Sequence, residues 1–258
     1  MTDRIKKLRE QSLNAINRIS AERALLVTEF YKTGIDREVS VPVMRALTFE
    51  HILKNKHICI NDGELIVGER GPGPKACPTY PEINVHSLQD LEILDTRKKV
   101  SFKVDSETKK AYEEQIIPFW KGRSNRDRIM ANMTPEWLDA YKAGIFTEFQ
   151  EQRAPGHTVL GEKIYKLGML DLQKQVQSAR SKIEWFNDPE AYVKNEELKA
   201  MEVAAKAIIM FAERHAESLE HLASNIEPRT SNIVHTKEEL LALARICRRV
   251  PAHAPETF

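Results

Sequence analysis

The sequence predicts a mainly α-helical protein, and three observations support this prediction. Apolar residues recur at helical spacing through most of the 258 residues, with charged residues between them. Only ten residues are glycine, which favours helices because glycine loses much backbone entropy inside one. Several Ser, Thr and Asp residues stand where their side chains can cap a helix N-terminus.

Two helices are predicted at the N-terminus. The first is marked by apolar residues at helical spacing, namely Ile5, Leu8, Ile16 and Ile19. The second is expected to begin after Ser20 as its N-cap, with Glu22 in the first turn. It should stop at Gly34, because glycine readily adopts the left-handed conformation at a helix C-terminus.

The pattern changes after a third helix, which is expected from about Pro42 because proline is pre-shaped for a first helical turn. Short apolar runs at 57–60 and 65–67 flank Asn61-Asp62-Gly63. They predict two short extended segments around a turn, whether or not these pair as strands. Residues 71–86 are rich in proline and glycine and predict an irregular loop.

Helical signals resume in the second half. A helix capped by Asp105 or Ser106 should run to Trp120, and Thr134 should cap another that ends near Gly144. After an irregular stretch at 147–161, helical spacing returns from Glu162 to about Lys182.

The longest helix is expected from Asp188-Pro189 to Ser224, and its apolar side comprises Met201, Ala204, Ile208, Phe211 and Leu219. A capping box at Thr236–Glu239 predicts the last helix, which ends before Val250-Pro251. The polar stretch Asn225–His235 should be an exposed loop between these two helices.

Composition argues against several classes of protein. The chain has 39 Lys plus Arg and 38 Asp plus Glu, so it lacks the charge imbalance of a nucleic-acid or anionic-membrane binder. It has no stretch of about 18 apolar residues and no apolar signal core. Cys59, Cys77 and Cys247 are far apart and form no CxxC pair, so neither a disulfide framework nor a zinc site is expected. We therefore expect a cytoplasmic protein that binds no metal.

Three places invite a functional interpretation. His157 follows Pro155-Gly156 on a turn, where an imidazole could donate or accept a proton, although the simpler interpretation is that it caps the next helix or hydrogen-bonds the loop. Glu82 and His86 could form an acid–base pair, but the prolines around Glu82 favour a rigid packing loop. The residues Arg126-Asp127-Arg128 are best explained as solvent-facing ion pairs.

The order of several motifs along the chain is familiar. The stretch 61–69 resembles a segment near the start of glycyl radical enzymes, and 78–82, 116–120 and 133–137 continue the resemblance. The run 153–158 is similar to the Gly-His-Thr loop of that family, and the stretch 146–155 most resembles its hydroxyproline dehydratases. The last residues, 251–258, look like the junction before the barrel of these enzymes.

The resemblance implies a fold and a domain organisation. The complete family fold is an α/β ten-stranded barrel surrounded by helices, so residues 1–258 would form an incomplete N-terminal pyruvate formate-lyase-like domain. The barrel core and the C-terminal glycyl radical domain would be absent from this chain. Neither the family's radical glycine motif nor its thiyl cysteine motif occurs in the sequence, and the three cysteines are better explained as small buried hydrophobes.

The resemblance also implies an activity. A separate radical S-adenosylmethionine activase would install a glycyl radical, and the anaerobic enzyme would dehydrate trans-4-hydroxy-L-proline to a pyrroline carboxylate. His157 matches a histidine placed near the substrate hydroxyl, and Phe149 matches an aromatic that packs against the substrate ring. The complete enzyme would bind a small hydroxyproline-like substrate, hold no further cofactor and form a homodimer, and the 258-residue chain alone would be inactive.

Two alternatives stay open. The Gly156-His157-Thr158 loop is shared among glycyl radical lyases, so the substrate could be glycerol or another diol, or the chemistry that of a C–N lyase or a formate acetyltransferase. The chain could also be a stand-alone, degenerate helical binding protein, which should then fold cooperatively as a monodisperse species.

Overall fold

The computed structural model describes residues 2–146, 161–225 and 235–256, and these are mainly helical, as the sequence predicts. The α-helices of these ranges are α1 (Asp3–Asn14), α2 (Glu22–Lys32), α3 (Val41–Asn55), α4 (Leu88–Thr96), α5 (Ser106–Ala111), α6 (Ile117–Trp120), α7 (Asn125–Met130), α8 (Pro135–Lys142), α9 (Lys163–Lys166), α10 (Met169–Ser181), α11 (Ala191–Asn225) and α12 (Lys237–Arg249). A 3₁₀ turn spans Ile35–Arg37, and a π-helical segment, Tyr112–Ile116, joins α5 to α6.

The two strands of the described residues lie where the sequence predicts helix, at Ile19, and an irregular loop, at 71–86. Strands β1 (Arg18–Ser20) and β2 (Ala76–Pro78) pair in parallel, with Ile19 opposite Cys77. Because Ser20 belongs to β1, its prediction as the N-cap of α2 is wrong, and Ala21 occupies that position without a side-chain cap.

The segments on either side of the turn at 61–64 form no strand in the structure. The turn itself is confirmed, with the Glu64 amide donating to the Asn61 carbonyl at 3.2 Å. Ile60 and Val67 instead pack against buried residues of α11 and α12, among them Leu219. Apolar burial against helices therefore replaces strand pairing here.

One hydrophobic core joins α2, α3, α4 and the π-helical segment. Its fully buried side chains include Val27, Leu91, Tyr112 and Ile116. The indole N–H of buried Trp120 donates to Thr28 Oγ1 at 2.8 Å, which satisfies the one polar group of that side chain.

The long helix α11 organises the second half, since it packs against α3, α10 and α12. Its buried residues are mostly small, including Ala216 and Ala223, which allows α12 to approach closely. Met201 was predicted on its apolar side but is 54% exposed, so that assignment is wrong.

Most predicted helix ends are confirmed. Gly34 adopts the left-handed conformation with φ of 78°, Asp105 and Thr134 cap α5 and α8, and Thr236 forms the predicted capping box with Glu239. The predicted helix from Glu162 to Lys182 is divided into α9 and α10 at Leu167 and Gly168.

The division at Gly168 has a steric cause. A Cβ atom there would lie 2.2 Å from the Ala252 carbonyl oxygen, so only glycine permits this approach of two chain segments. The amides of Met169 and Leu170 donate to the carbonyls of Pro251 and Ala252 at 2.8 and 3.1 Å. These bonds satisfy the N-terminus of α10 from outside the helix.

Candidate functional site

The two predicted site residues, Phe149 and His157, lie in 147–160, outside the described residues. The structure does describe both flanks of that stretch, which end at Phe146 and begin again at Gly161. The structure therefore shows the elements that flank the predicted site residues.

An aromatic cluster forms the upstream flank. Trp137 and Tyr141, one turn apart on α8, are stacked with their ring centroids 5.5 Å apart and an interplanar angle of 12°. Gly144, with φ of 73°, turns the chain back after α8, so that the Phe146 ring lies 4.9 Å from Trp137 and 6.5 Å from Tyr141. The chain thus enters residues 147–160 from a position fixed by three rings.

The downstream flank is anchored to the end of the described chain. Gly161, α9 and Leu167 lead into the N-terminus of α10, which contacts residues 251–253 as described above. The amide of His253 in turn donates to the Arg249 carbonyl at 2.7 Å, which ties this segment to the end of α12.

The proline-rich loop is fixed by an ion pair. Arg23 on α2 donates to both carboxylate oxygens of Glu82, at 2.5 and 3.2 Å, and to the Thr79 carbonyl at 3.0 Å. Its guanidinium also lies 3.9 Å from the Tyr80 ring centroid. Since Arg23 engages both oxygens of Glu82, the structure favours a loop-fixing role for this carboxylate over an acid–base role with His86.

A buried hydroxyl pair lies beneath the same loop. The Tyr112 hydroxyl donates to Thr79 Oγ1 at 2.6 Å, and the Tyr112 side chain is fully buried. Burial raises the pKa of Tyr112 to about 12, because it disfavours the phenolate. Tyr112 therefore stays protonated as a structural hydrogen-bond donor.

The charged run 126–128, predicted to form solvent-facing ion pairs, contributes hydrogen bonds to the fold. The Asp127 carboxylate accepts from the Gly122 amide at 2.8 Å, which closes the turn before α7. The amides of Asn125 and Arg126 donate to the carbonyls of Glu82 and Ile83, each at 2.9 Å. The run thus joins α7 to the proline-rich loop.

The histidine at position 235 is buried against a distant turn. The sequence predicts an exposed loop at 225–235, but the exposure of His235 is 6% and it contacts the turn at 61–64. Residues 226–234 of this loop lie outside the described ranges. The His235 amide donates to the Asp62 carboxylate at 3.1 Å. The sequence signal available was its position immediately before the capping box at Thr236, where a buried side chain is common.

A second group of missed residues closes the C-terminus of α3. The Lys56 ammonium donates to the carbonyls of Glu69 and Arg70, each at 2.8 Å, and burial lowers the pKa of this lysine. Arg214 on α11 donates to the carbonyls of Leu53 and Lys56, so one cation satisfies the end of the helix and the Lys56 ammonium ties the loop at 69–70 to it.

A wide cleft of about 1200 Å³ opens between α2, α3 and the loops at 68–72 and 78–83. Charged groups around it include Arg23, Glu82 and Lys56 from the networks above. Its volume exceeds that of an ordinary small-molecule pocket, which is about 300–1000 Å³.

The described ranges contain no group of three or more His, Cys, Asp or Glu side chains that could hold a metal ion. Cys59, Cys77 and Cys247 are free thiols, and burial raises the pKa of Cys59 and of Cys247. None of the helices in these ranges is long and apolar enough to span a membrane.

The chain is similar in sequence to known proteins. A pyruvate formate lyase-like family model matches residues 1–258. The chain is 49% identical to trans-4-hydroxy-L-proline dehydratase of Clostridioides difficile over 99% of its own length and 32% of that enzyme. The chain thus spans about a third of the length of this relative.

The fold of the chain also matches solved structures. The crystal structure of hydroxyproline dehydratase from Clostridioides difficile, with trans-4-hydroxy-L-proline bound, superposes with a TM-score of 0.91 at 48% identity, covering 100% of this chain and 32% of that one. A glycyl radical enzyme from Archaeoglobus fulgidus superposes with a TM-score of 0.84 at 27% identity, covering 99% and 32%. The resemblance to glycyl radical enzymes is confirmed, and the chain belongs to the pyruvate formate lyase-like family.

Proposed function

We propose that this chain is the N-terminal part of a glycyl radical dehydratase, a carbon–oxygen lyase that removes water from trans-4-hydroxy-L-proline and yields a pyrroline carboxylate. The observation that carries the proposal is the near-half sequence identity to the Clostridioides difficile enzyme across almost the whole chain. In this proposal the radical glycine and the thiyl cysteine are supplied by polypeptide outside residues 1–258.

His157 is the residue proposed to act on the substrate. Loss of a hydroxyl from a substrate radical is aided by a hydrogen bond or proton donated to the leaving oxygen, and an imidazole suits this role near neutral pH. Phe149 is proposed to form an apolar wall against the pyrrolidine ring. The aromatic cluster of Trp137, Tyr141 and Phe146 would then support the residues that lead to this wall.

The proposed partners follow from the same chemistry. A separate radical S-adenosylmethionine activase would install the glycyl radical, and no further cofactor would be bound. The complete enzyme would be a cytoplasmic homodimer. It would work in anaerobic cells, since glycyl radicals are destroyed by oxygen. Residues 1–258 alone would be inactive, because they would supply one wall of the site and none of the radical machinery.

The test uses the complete polypeptide encoded by the gene, activated without oxygen by a matching activase. We expect a glycyl radical signal in electron paramagnetic resonance and conversion of trans-4-hydroxy-L-proline to a pyrroline carboxylate. A parallel panel contains glycerol, propane-1,2-diol, a C–N lyase substrate and pyruvate with coenzyme A. A radical signal with turnover of a panel compound, and none of hydroxyproline, would assign another glycyl radical activity.

The purified 258-residue chain provides a second arm. It should give no turnover under the same conditions, and turnover by this chain alone would contradict the proposal. If the gene ends at residue 258 and the chain is a monodisperse, cooperatively folding species, a degenerate binding protein becomes the better account.

A further inference from the structure

The wide cleft between α2 and α3 carries an excess of positive charge. Its lining contains six cationic and four acidic side chains, and the chain as a whole is almost neutral. Two of the cations are already engaged within the fold, since Arg23 binds Glu82 and Lys56 binds two carbonyls. The remaining four are the exposed arginines Arg45, Arg70, Arg123 and Arg128.

These four arginines have no carboxylate partner within the described part of the chain. Their guanidinium groups form none of the ion pairs in residues 2–146, 161–225 and 235–256, although Arg123 lies over the Phe119 ring at 4.5 Å. Two acids of the lining accept from backbone amides, because Glu22 binds the amide of His57 and Glu69 that of Arg70. The cleft therefore offers guanidinium donors of the kind that bind carboxylates with two parallel hydrogen bonds.

The lining of the cleft also contains exposed apolar side chains between the charged ones. Val41, Phe49, Tyr80 and Ile83 line the cleft, and their exposures range from 38% to 66%. Exposed aromatics together with arginine are the composition of the centre of a protein–protein contact. A free inorganic anion would leave these apolar groups in water, whereas a polypeptide segment with carboxylates and apolar side chains would cover both.

We propose that this cleft is the docking surface for an acidic segment of the same polypeptide that lies outside residues 1–258. The proposal rests on the proposed function in one respect, namely that the complete polypeptide has the length of its relatives, of which this chain spans about a third. A covalently linked segment has a high effective concentration, so modest charge complementarity suffices to hold it.

The first experiment locates the occupant. The complete polypeptide is purified with Phe49→p-benzoylphenylalanine, irradiated, and mapped by mass spectrometry, with Trp185→p-benzoylphenylalanine as a control on an exposed aromatic that does not line the cleft. We expect the cleft probe, and not the control, to capture one segment outside residues 1–258 that contains at least two acidic residues. Capture confined to 1–258, capture of a second copy, or no capture would overturn the proposal.

The second experiment tests the charge. In the cleft-probe protein, Arg45→Glu with Arg128→Glu should reduce the cross-link yield about tenfold, because two repulsive charges replace two attractive ones. Arg9→Glu with Arg245→Glu changes the net charge equally at exposed positions that do not line the cleft and should leave the yield unchanged. Arg45→Lys with Arg128→Lys should retain most of the cross-link yield, because the positive charges remain. The helical circular dichroism signal verifies that each variant is folded.

Equal yields in the reversed and the control variants would show that charge does not select the occupant, and the proposal would fail. The cross-link map requires no turnover, so it can succeed in a protein that does not dehydrate hydroxyproline. Conversely, the protein could turn over hydroxyproline while the cleft probe captures no segment. That result would leave the proposed function intact and overturn the docking proposal.

Discussion

The Nδ1 atom of buried His235 accepts a hydrogen bond at 3.1 Å from the amide of Gly63, which lies 172 residues earlier in the chain. Because Nδ1 accepts, the proton of the neutral ring must sit on Nε2, which donates to the Glu64 carbonyl at 2.7 Å. The ring thus satisfies one amide and one carbonyl of the same turn. In this tautomer the 3.5 Å distance from Nδ1 to Asp62 Oδ1 is not an ion pair.

His235→Ala should destabilise the protein by about 2–4 kcal/mol, because it leaves the Gly63 amide and the Glu64 carbonyl without partners and opens a cavity. Urea unfolding gives the change in the free energy of unfolding. His221→Ala, at an exposed position of α11, is the matched control and should cost less than about 0.5 kcal/mol. Equal effects of the two substitutions would contradict the hydrogen-bonded role of His235.

Tyr112→Phe should lower stability by about 1 kcal/mol at pH 8, because Thr79 loses its hydrogen-bond donor. Above pH 10 the unfolded wild-type chain ionises its tyrosine, while the folded protein keeps Tyr112 protonated until its pKa of about 12. The folded state then binds more protons, so the contribution of Tyr112 falls with rising pH by up to about 1.4 kcal/mol per unit.

The measurement is urea unfolding of both proteins at pH 8, 10 and 11.5. The free energy of wild type minus that of Tyr112→Phe cancels the titration of other groups. This difference should shrink or change sign between pH 10 and 11.5. A difference that stays constant with pH would show that the Tyr112 hydroxyl is not buried.

Gly168→Ala should destabilise the protein by about 2–3 kcal/mol, because the new Cβ would overlap the Ala252 carbonyl oxygen and the His253 backbone. Residues 251–253 would be displaced from the N-terminus of α10. Hydrogen exchange of the Met169 and Leu170 amides should accelerate, since their acceptors lie on the displaced segment. Lys174→Ala on the same helix is the control, and unchanged protection in Gly168→Ala would refute the close approach.

The aromatic contact between Trp137 and Phe146 should be measurable as a coupling energy. In a double-mutant cycle of Trp137→Leu and Phe146→Leu, we expect a coupling of about 0.5–1.5 kcal/mol, as for other paired rings. Near-ultraviolet circular dichroism should also weaken in each single variant. Additive effects of the two substitutions would mean that Phe146 does not fold back onto α8.

His157→Gln in the complete, activated enzyme should lower kcat for hydroxyproline about 10²–10⁴-fold, because an amide cannot protonate the leaving oxygen. The glycyl radical signal should keep its amplitude, which separates loss of chemistry from loss of activation. Phe149→Leu should raise KM more than it lowers kcat, as expected for a wall that only contacts the ring. Undiminished turnover by His157→Gln would remove this histidine from the mechanism.

Local features of the sequence predicted most helix ends correctly. Thr134 and Thr236 cap helices because their hydroxyls accept from amides three residues later, and Gly34 ends α2 because it adopts a left-handed conformation. Such interactions span a few residues, so their residue types are sufficient to predict them. The predicted site residues Phe149 and His157 rest on the family resemblance, and they remain predictions.

The sequence by itself determined the helical class, most of the cap positions and the family, because caps and helical spacing are local and the family motifs are contiguous. Only the tertiary structure decided that Ser20 pairs with Pro78, that Gly168 divides a helix and that His235 is buried. Each of these depends on an atom that is dozens of residues away in sequence. Contacts of this kind are selected by the packing of the whole chain, and a local pattern of residues does not specify the distant partner.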